Sequence, residues 1–193
     1  MRKKSIKSFD AQDVEKELHR EQYKNRYKRT LKSTFFALLT AAAAAILIAT
    51  LWLPVLQIFG SSMVPTLQEG QIVVSIKTEN LEPGDIVAFY YGNKVLVKRY
   101  IAGAGSFVDI KADGTVFVDG VPLEEPYIKE KALGNCDLSM PYQVPEGTYF
   151  LIGDERENSI DSRHSSVGCI SADRIVGKIV YCVWPFEVFG VIN

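Results

Sequence analysis

Apolar positions along this chain follow two different patterns. Residues 33–59, STFFALLTAAAAAILIATLWLPVLQIF, contain no charged side chain. A core helix would carry a single apolar stripe, whereas this run is apolar on every face. About 20 mostly apolar residues are enough to cross a bilayer. The run therefore predicts a membrane-spanning helix over 33–56, with Trp52 at its far interface and Pro54 near its stop. Beyond it, apolar residues come in short β-branched runs behind turn signals. QIVVSIK follows Glu69-Gly70, DIVAFYY follows Pro83-Gly84, KVLVKRYIA follows Gly92-Asn93, TVFVDG follows Asp113-Gly114 and TYFLIGD follows Glu146-Gly147, with RIVGKIVYCVW near the end. These runs predict an all-β domain over 57–193. Residues 123–145, LEEPYIKEKALGNCDLSMPYQVP, break the rhythm with three prolines and scattered charges, which predicts an excursion from the sheet. The chain is thus expected to be mainly β, preceded by one N-terminal transmembrane α-helix.

Charge refines this picture. Residues 1–32 hold eleven Lys/Arg against five Asp/Glu, a balance of +6 in a chain whose net charge is −1. A cleaved secretory signal has a short basic start and a shorter apolar core, so a retained anchor fits better. Basic flanks stay in the cytoplasm, which would put the β domain on the extracytoplasmic face of the plasma membrane. The flank has only weak helical periodicity (Val14, Leu18, Tyr23, Tyr27) and reads as a solvated cytoplasmic tail. At 193 residues and 47% apolar composition the chain holds one full domain besides the anchor. Three unevenly spaced cysteines argue against a disulfide framework or a zinc site. No P-loop, dinucleotide turn or nucleic-acid patch is present, so neither cofactor, metal nor nucleic acid is expected.

Candidate chemistry begins at residues 60–70, GSSMVPTLQEG, where two adjacent serines follow the anchor. A serine nucleophile needs a base within hydrogen-bond reach. Of the two histidines, His19 precedes the anchor, and His164 sits in the polar stretch RENSIDSRHSS, where a solvated loop residue is the default. Lysine is the other option. In VLVKRYI, strand alternation puts Leu96, Lys98 and Tyr100 on one face, so Lys98 projects between two large apolar side chains. If that face is buried, desolvation favours the neutral amine, which can act as a base. If it forms an edge, the lysine snorkels out to water.

Four segments behind the anchor resemble, in order, the motifs of type I signal peptidases. Ser62-Met63-Val64-Pro65-Thr66-Leu67 is similar to the nucleophile box S-M-x-P-T-L, Pro83-Gly84-Asp85-Ile86-Val87 to P-G-D-I-V, and Lys98-Arg99 to the K-R of the general-base strand. GDERENSIDSR, residues 153–163, is similar to G-D-N-R-x-x-S-x-D-S-R. The resemblance runs from the anchor to about Ile179. It implies a membrane-bound serine endopeptidase that removes N-terminal signal peptides from exported preproteins, cleaving after small residues in Ala-x-Ala contexts.

By the same resemblance, Ser62 is the nucleophile and Lys98 the general base of a Ser-Lys dyad. Ser159 would hydrogen-bond the lysine amine, Asp161 and Arg163 would form an ion pair behind the site, and Asp154 would hold Arg99 or its loop. The oxyanion would meet the backbone N–H of Ser62. Where some family members carry a serine as a second donor this chain has Gly60, which offers only its backbone. Ile58, Phe59, Met63, Leu67 and Leu96 would line the substrate pocket. Expected partners are signal-peptide-bearing preproteins and membrane lipid, the latter through the aromatic stretch around Trp184, Phe186 and Phe189; the protein is expected to be a monomer. Three other readings compete: a membrane-tethered module that keeps the fold without the chemistry, a self-cleaving regulator with the same dyad, and a Ser-His-Asp protease using His164. The first would lack Ser62 or Lys98, and the second would carry a DNA-binding domain in place of an anchor.

Overall fold

The computed structural model describes residues 11–192 apart from Glu79. The first ten residues of the expected tail and the Trp52 side chain lie outside the described residues. Two compact units meet at about Ala49 and Thr50. The first is made by helix α1, Ala11–Trp52, whose last three residues fall in the second. The helix contains a segment, Leu18–Leu47, that is long and apolar enough by length and composition to cross a membrane, with its charged residues all before Ser33. The described side chains of that segment are all exposed.

Both ends of the helix differ from expectation. Residues 11–32, read from sequence as a solvated tail of weak helical periodicity, continue the helix. They are rich in Glu, Lys, Arg and Gln, which favour helix without any apolar stripe, and Lys24 pairs with Glu21 at 2.9 Å along the helix surface. At the other end the helix stops at Trp52, not at residue 56. Leu53 precedes Pro54, and the proline ring disfavours helical backbone at the residue before it. The chain then turns directly into strand β1, Val55–Gln57.

All six sequence-expected strands form: β2 (Ile72–Ile76), β3 (Ile86–Tyr91), β4 (Lys94–Gly103), β6 (Val116–Val118), β9 (Thr148–Ile152) and β11 (Ile175–Trp184). Shorter strands join them: β5 (Phe107–Ile110), β7 (Val121–Pro122), β8 (Tyr142–Gln143), β10 (Ile170–Ser171) and β12 (Gly190–Val191). The larger sheet runs β1-β2-β11-β3-β4-β9-β10, with β12 also paired to β11; the smaller runs β7-β6-β5-β8. Every pairing is antiparallel.

Strand β4 is interior, paired to β3 on one side and β9 on the other. Ile101 and Ala102 of β4 and Phe150 and Ile152 of β9 pack against Val108, Ile110 and Val116 of the smaller sheet. Val87, Phe89, Tyr100, Leu151 and Ile170 form a second cluster, and Ile58, Met63, Leu67, Val73, Ile86 and Ile179 a third. With cores on both sides, β4 is buried continuously from Lys98 to Ala102 instead of alternating. Sequence alternation therefore chose the right face for Lys98 but missed that the opposite face is covered too.

Candidate active site

The turn that carries Ser62 is fixed from below. Ile58 donates its N–H to Gln71 O (2.8 Å) and accepts from Gly70 N–H (2.9 Å), while Val64 and Leu67 donate back to Ser61 O (3.0 Å) and Met63 O (2.8 Å). Met63 and Leu67 are sunk in the core, each burial contributing about 1.5–3 kcal/mol. Gly60 adopts φ +82°, a left-handed conformation that a serine would enter only with strain. The sequence departure at Gly60 thus matches the backbone it must adopt. Neither Gly60 N–H nor Ser62 N–H makes a hydrogen bond among the described residues.

Lys98 comes from β4, opposite Val87 of β3. Its Nζ lies 2.5 Å from Ser62 Oγ, and only 4% of the residue is exposed. Burial lowers the lysine pKa to about 8; the nearby Asp161 carboxylate opposes the shift, Arg163 adds to it, and Asp154 opposes it more weakly. A desolvated amine in contact with a serine hydroxyl can accept its proton near neutral pH.

The 153–163 segment supports this pair from behind. Glu155 N–H donates to Ser62 O at 3.1 Å. Asp161 accepts from Gly153 N–H (3.0 Å) and pairs with Arg163 through Nε–Oδ1 and Nη2–Oδ2 contacts, both 2.9 Å. Burial pushes the Asp161 carboxyl up, but Arg163 and the Gly153 N–H outweigh it, with a smaller contribution from the nearby Ser159 hydroxyl, and its pKa falls below the usual carboxylate range. Asp154 grips Arg99 with both oxygens, at 2.8 and 2.7 Å. Thr66 Oγ1 donates to Asp154 at 2.5 Å and accepts from Arg99 Nη2 at 3.1 Å, which ties the nucleophile turn to β4.

Two expectations fail here. Ser159 Oγ is buried without a hydrogen-bond partner of normal geometry and does not bond Lys98. It faces Gly153, where an added Cβ would collide with it. Leu67 does not line the substrate groove either. It packs with Val73, Ile86 and Ile179, because the helical turn after Ser62 points it back into the core.

Two residues that the sequence did not signal complete the support. The excursion returns Glu125 to a buried ion pair with Arg156 at 2.5 Å, and Tyr127 to the face of Arg99, whose guanidinium carbon is 3.6 Å from the ring centroid. Burial strongly raises the Tyr127 pKa, so its hydroxyl stays protonated and reaches Glu125 at 3.3 Å. Nothing in the sequence pointed to them, because the excursion carries no motif and their partners Arg156 and Arg99 lie far along the chain.

Two grooves meet at the dyad. One, of about 740 Å³, is lined by Ile58, Phe59, Met63, Leu96 and Val97. The other, of about 680 Å³, is lined by Tyr91, Leu96, Asn158, Ile160 and Val167. His164 is absent from both. Its ring turns to Ser166 Oγ at 2.8 Å and, at 3.7 Å, to Asp137. Among the described residues no group of three or more His, Cys, Asp or Glu could hold a metal ion, and the three cysteines are free.

A hydroxyl nucleophile against a buried amine, open on two grooves in an antiparallel β domain, is an arrangement suited to acyl transfer. Comparison with known proteins agrees. Residues 29–184 match the family described as "Signal peptidase, peptidase S26". Signal peptidase I T of Bacillus subtilis (strain 168) is 36% identical over 164 residues, covering 78% of this chain and 84% of the relative. Signal peptidase IB of Staphylococcus aureus (strain COL) is 37% identical over 151 residues, covering 67% of this chain and 77% of the relative. A solved signal peptidase I from Enterococcus faecalis V583 is 27% identical and covers 53% of this chain and 98% of its own, with a TM-score of 0.43. The chain belongs to the signal peptidase family S26 and is a serine peptidase.

Proposed function

We propose that this protein removes N-terminal signal peptides from exported preproteins through a Ser62–Lys98 dyad, cleaving after small residues. The observation that carries the reading is the 2.5 Å contact between Lys98 Nζ and Ser62 Oγ in a nearly solvent-free setting. Neutral Lys98 takes the Ser62 proton as Oγ attacks the scissile carbonyl. The developing oxyanion meets Ser62 N–H, with Gly60 N–H as the second backbone candidate. The lysine then returns its proton to the leaving amine, and an ester-linked acyl-enzyme remains. Water, deprotonated by the same lysine, attacks that ester and frees the serine.

Small-residue selectivity has a physical basis in the apolar groove. Ile58 and Met63 stand beside Ser62 with almost no exposed surface, so they have little room to withdraw from a larger side chain. The basic flank supports a cytoplasmic N-terminus and an extracytoplasmic β domain. Trp184, Phe186 and Phe189 are exposed at the end of β11 and just beyond it, which supports contact of the domain with lipid headgroups. The deciding experiment is cleavage of a preprotein with an Ala-x-Ala site by the purified protein. Wild type should cut at that site and Lys98→Ala should not; equal cleavage by both would end the dyad reading.

A further inference from the structure

Lys94 opens β4 directly after the Gly92-Asn93 turn, four residues before Lys98. Strand alternation places Lys94, Leu96 and Lys98 on one face, and all three line both grooves. The backbone at Lys94 is held in place by its pairing with Tyr91, whose hydroxyl donates to Ser166 O at 2.9 Å. The Lys94 side chain is exposed and forms no ion pair among the described residues. Neither groove has a carboxylate among its lining residues. Lys98 is buried against Ser62, so Lys94 is the exposed cation that β4 presents to the substrate path.

We infer that Lys94 is a specificity-determining residue that favours an acidic side chain, and disfavours a basic one, about four residues from the scissile bond. Strands rise about 3.3 Å per residue, so Lys94 and Lys98 are about 13 Å apart along β4, and an extended substrate alongside advances by the same rise. The substrate side chain abreast of Lys94 is therefore three to five positions from the carbonyl that faces Ser62. A lysine on a flexible stem reaches across that uncertainty in register. Its charge faces partly open grooves, where like charges repel and opposite charges attract enough to change preference about fivefold.

The inference rests on the proposed peptidase activity, and its test separates the two. Full-length protein in neutral detergent is given a preprotein-derived peptide with an Ala-x-Ala site. Asp, Asn or Lys replaces one residue at a time, four or five positions before the scissile bond or three to five positions after it, so that the Ala-x-Ala site stays intact. At one or more of these positions kcat/KM should favour Asp over Lys by about fivefold at low salt, with the ratio near one in Lys94→Gln, inverted in Lys94→Glu, and compressed in about 1 M NaCl, where the Debye length is near 3 Å. The same Asp and Lys peptides bound to the Ser62→Ala protein, read by fluorescence anisotropy, report the preference without turnover. Failure of wild type to cut the Asn peptides would overturn the activity while anisotropy still reads the charge preference. An Asp-to-Lys ratio identical in wild type and Lys94→Glu at every position, in cleavage or in anisotropy, overturns the role of Lys94.

Discussion

Gly153 backs directly onto the Ser62 turn: a Cβ at position 153 would stand 2.6 Å from Ser62 O and would also collide with Ser159 Oγ. Real Cβ contacts are almost never so short, so any side chain here must push the nucleophile turn away from the 153–163 segment. Displacements of about 1 Å in a catalytic array can cost about a hundredfold in rate. Gly153→Ala should therefore lose at least that much kcat/KM and melt at lower temperature. A variant with wild-type kinetics and an unchanged melting curve would show that the close approach is not required.

The Ser62–Lys98 contact separates this site from its rivals. Ser62→Ala and Lys98→Ala should each abolish cleavage, and the double variant should be no worse than either, because both remove the same step. Ser61→Ala and His164→Ala should retain most activity, since His164 is occupied by Ser166 and Asp137. Because the lysine must be neutral, the rate should rise with pH through about 8. An acid limb near 10 would mean the amine is not desolvated, and loss of activity in His164→Ala would revive a histidine base.

Much of the fold was legible, and what escaped did so for physical reasons. The longer strands carry enough alternation to be seen and the three-residue β6 was marked by the Asp113-Gly114 turn, whereas β7, β8, β10 and β12 have two residues each and are fixed only by their neighbours. Lys98 stood out because a cation between Leu96 and Tyr100 is costly to bury. Glu125 and Tyr127 looked like ordinary excursion residues, since their partners Arg156 and Arg99 lie 31 and 28 positions away in sequence and adjacency is a product of the fold. Leu67 misled for the opposite reason: closeness in sequence to Ser62 says nothing about which way a helical turn aims a side chain.

The Glu125–Arg156 pair should be expensive to break from one side. Both side chains are buried, and removing one partner of such a pair leaves an uncompensated charge at a cost of about 3–5 kcal/mol. Glu125→Ala should destabilise by about that amount, and Glu125→Ala with Arg156→Met should recover part of it. Tyr127→Leu, which loses the ring over Arg99, should cost about 0.5–2 kcal/mol beyond its packing loss. Denaturant midpoints read both, and a near-neutral Glu125→Ala would mean that the excursion is not fastened to the catalytic support.

Lys98 should make the folded domain less stable at neutral pH than its shape allows. Its pKa falls from 10.5 to about 8 on folding, with burial as the leading cause. Below pH 8 the lysine is protonated in both states and the desolvation penalty is fully present. Between about 8 and 10.5 the unfolded chain holds the proton while the folded chain has released it, so stability rises with pH across that window and levels off above it. At about 1.36 kcal/mol per pKa unit the penalty is on the order of 3 kcal/mol. Lys98→Met keeps the stem and removes the charge, so the variant should be inactive yet more stable than wild type at pH 7. The stability gap should shrink steadily as pH is raised from 8 to 10.5, and denaturant melts of both proteins across that range measure it. A gap that stays constant would show that the lysine enters the fold at no electrostatic cost, and the account of Lys98 as a desolvated base would fall with it.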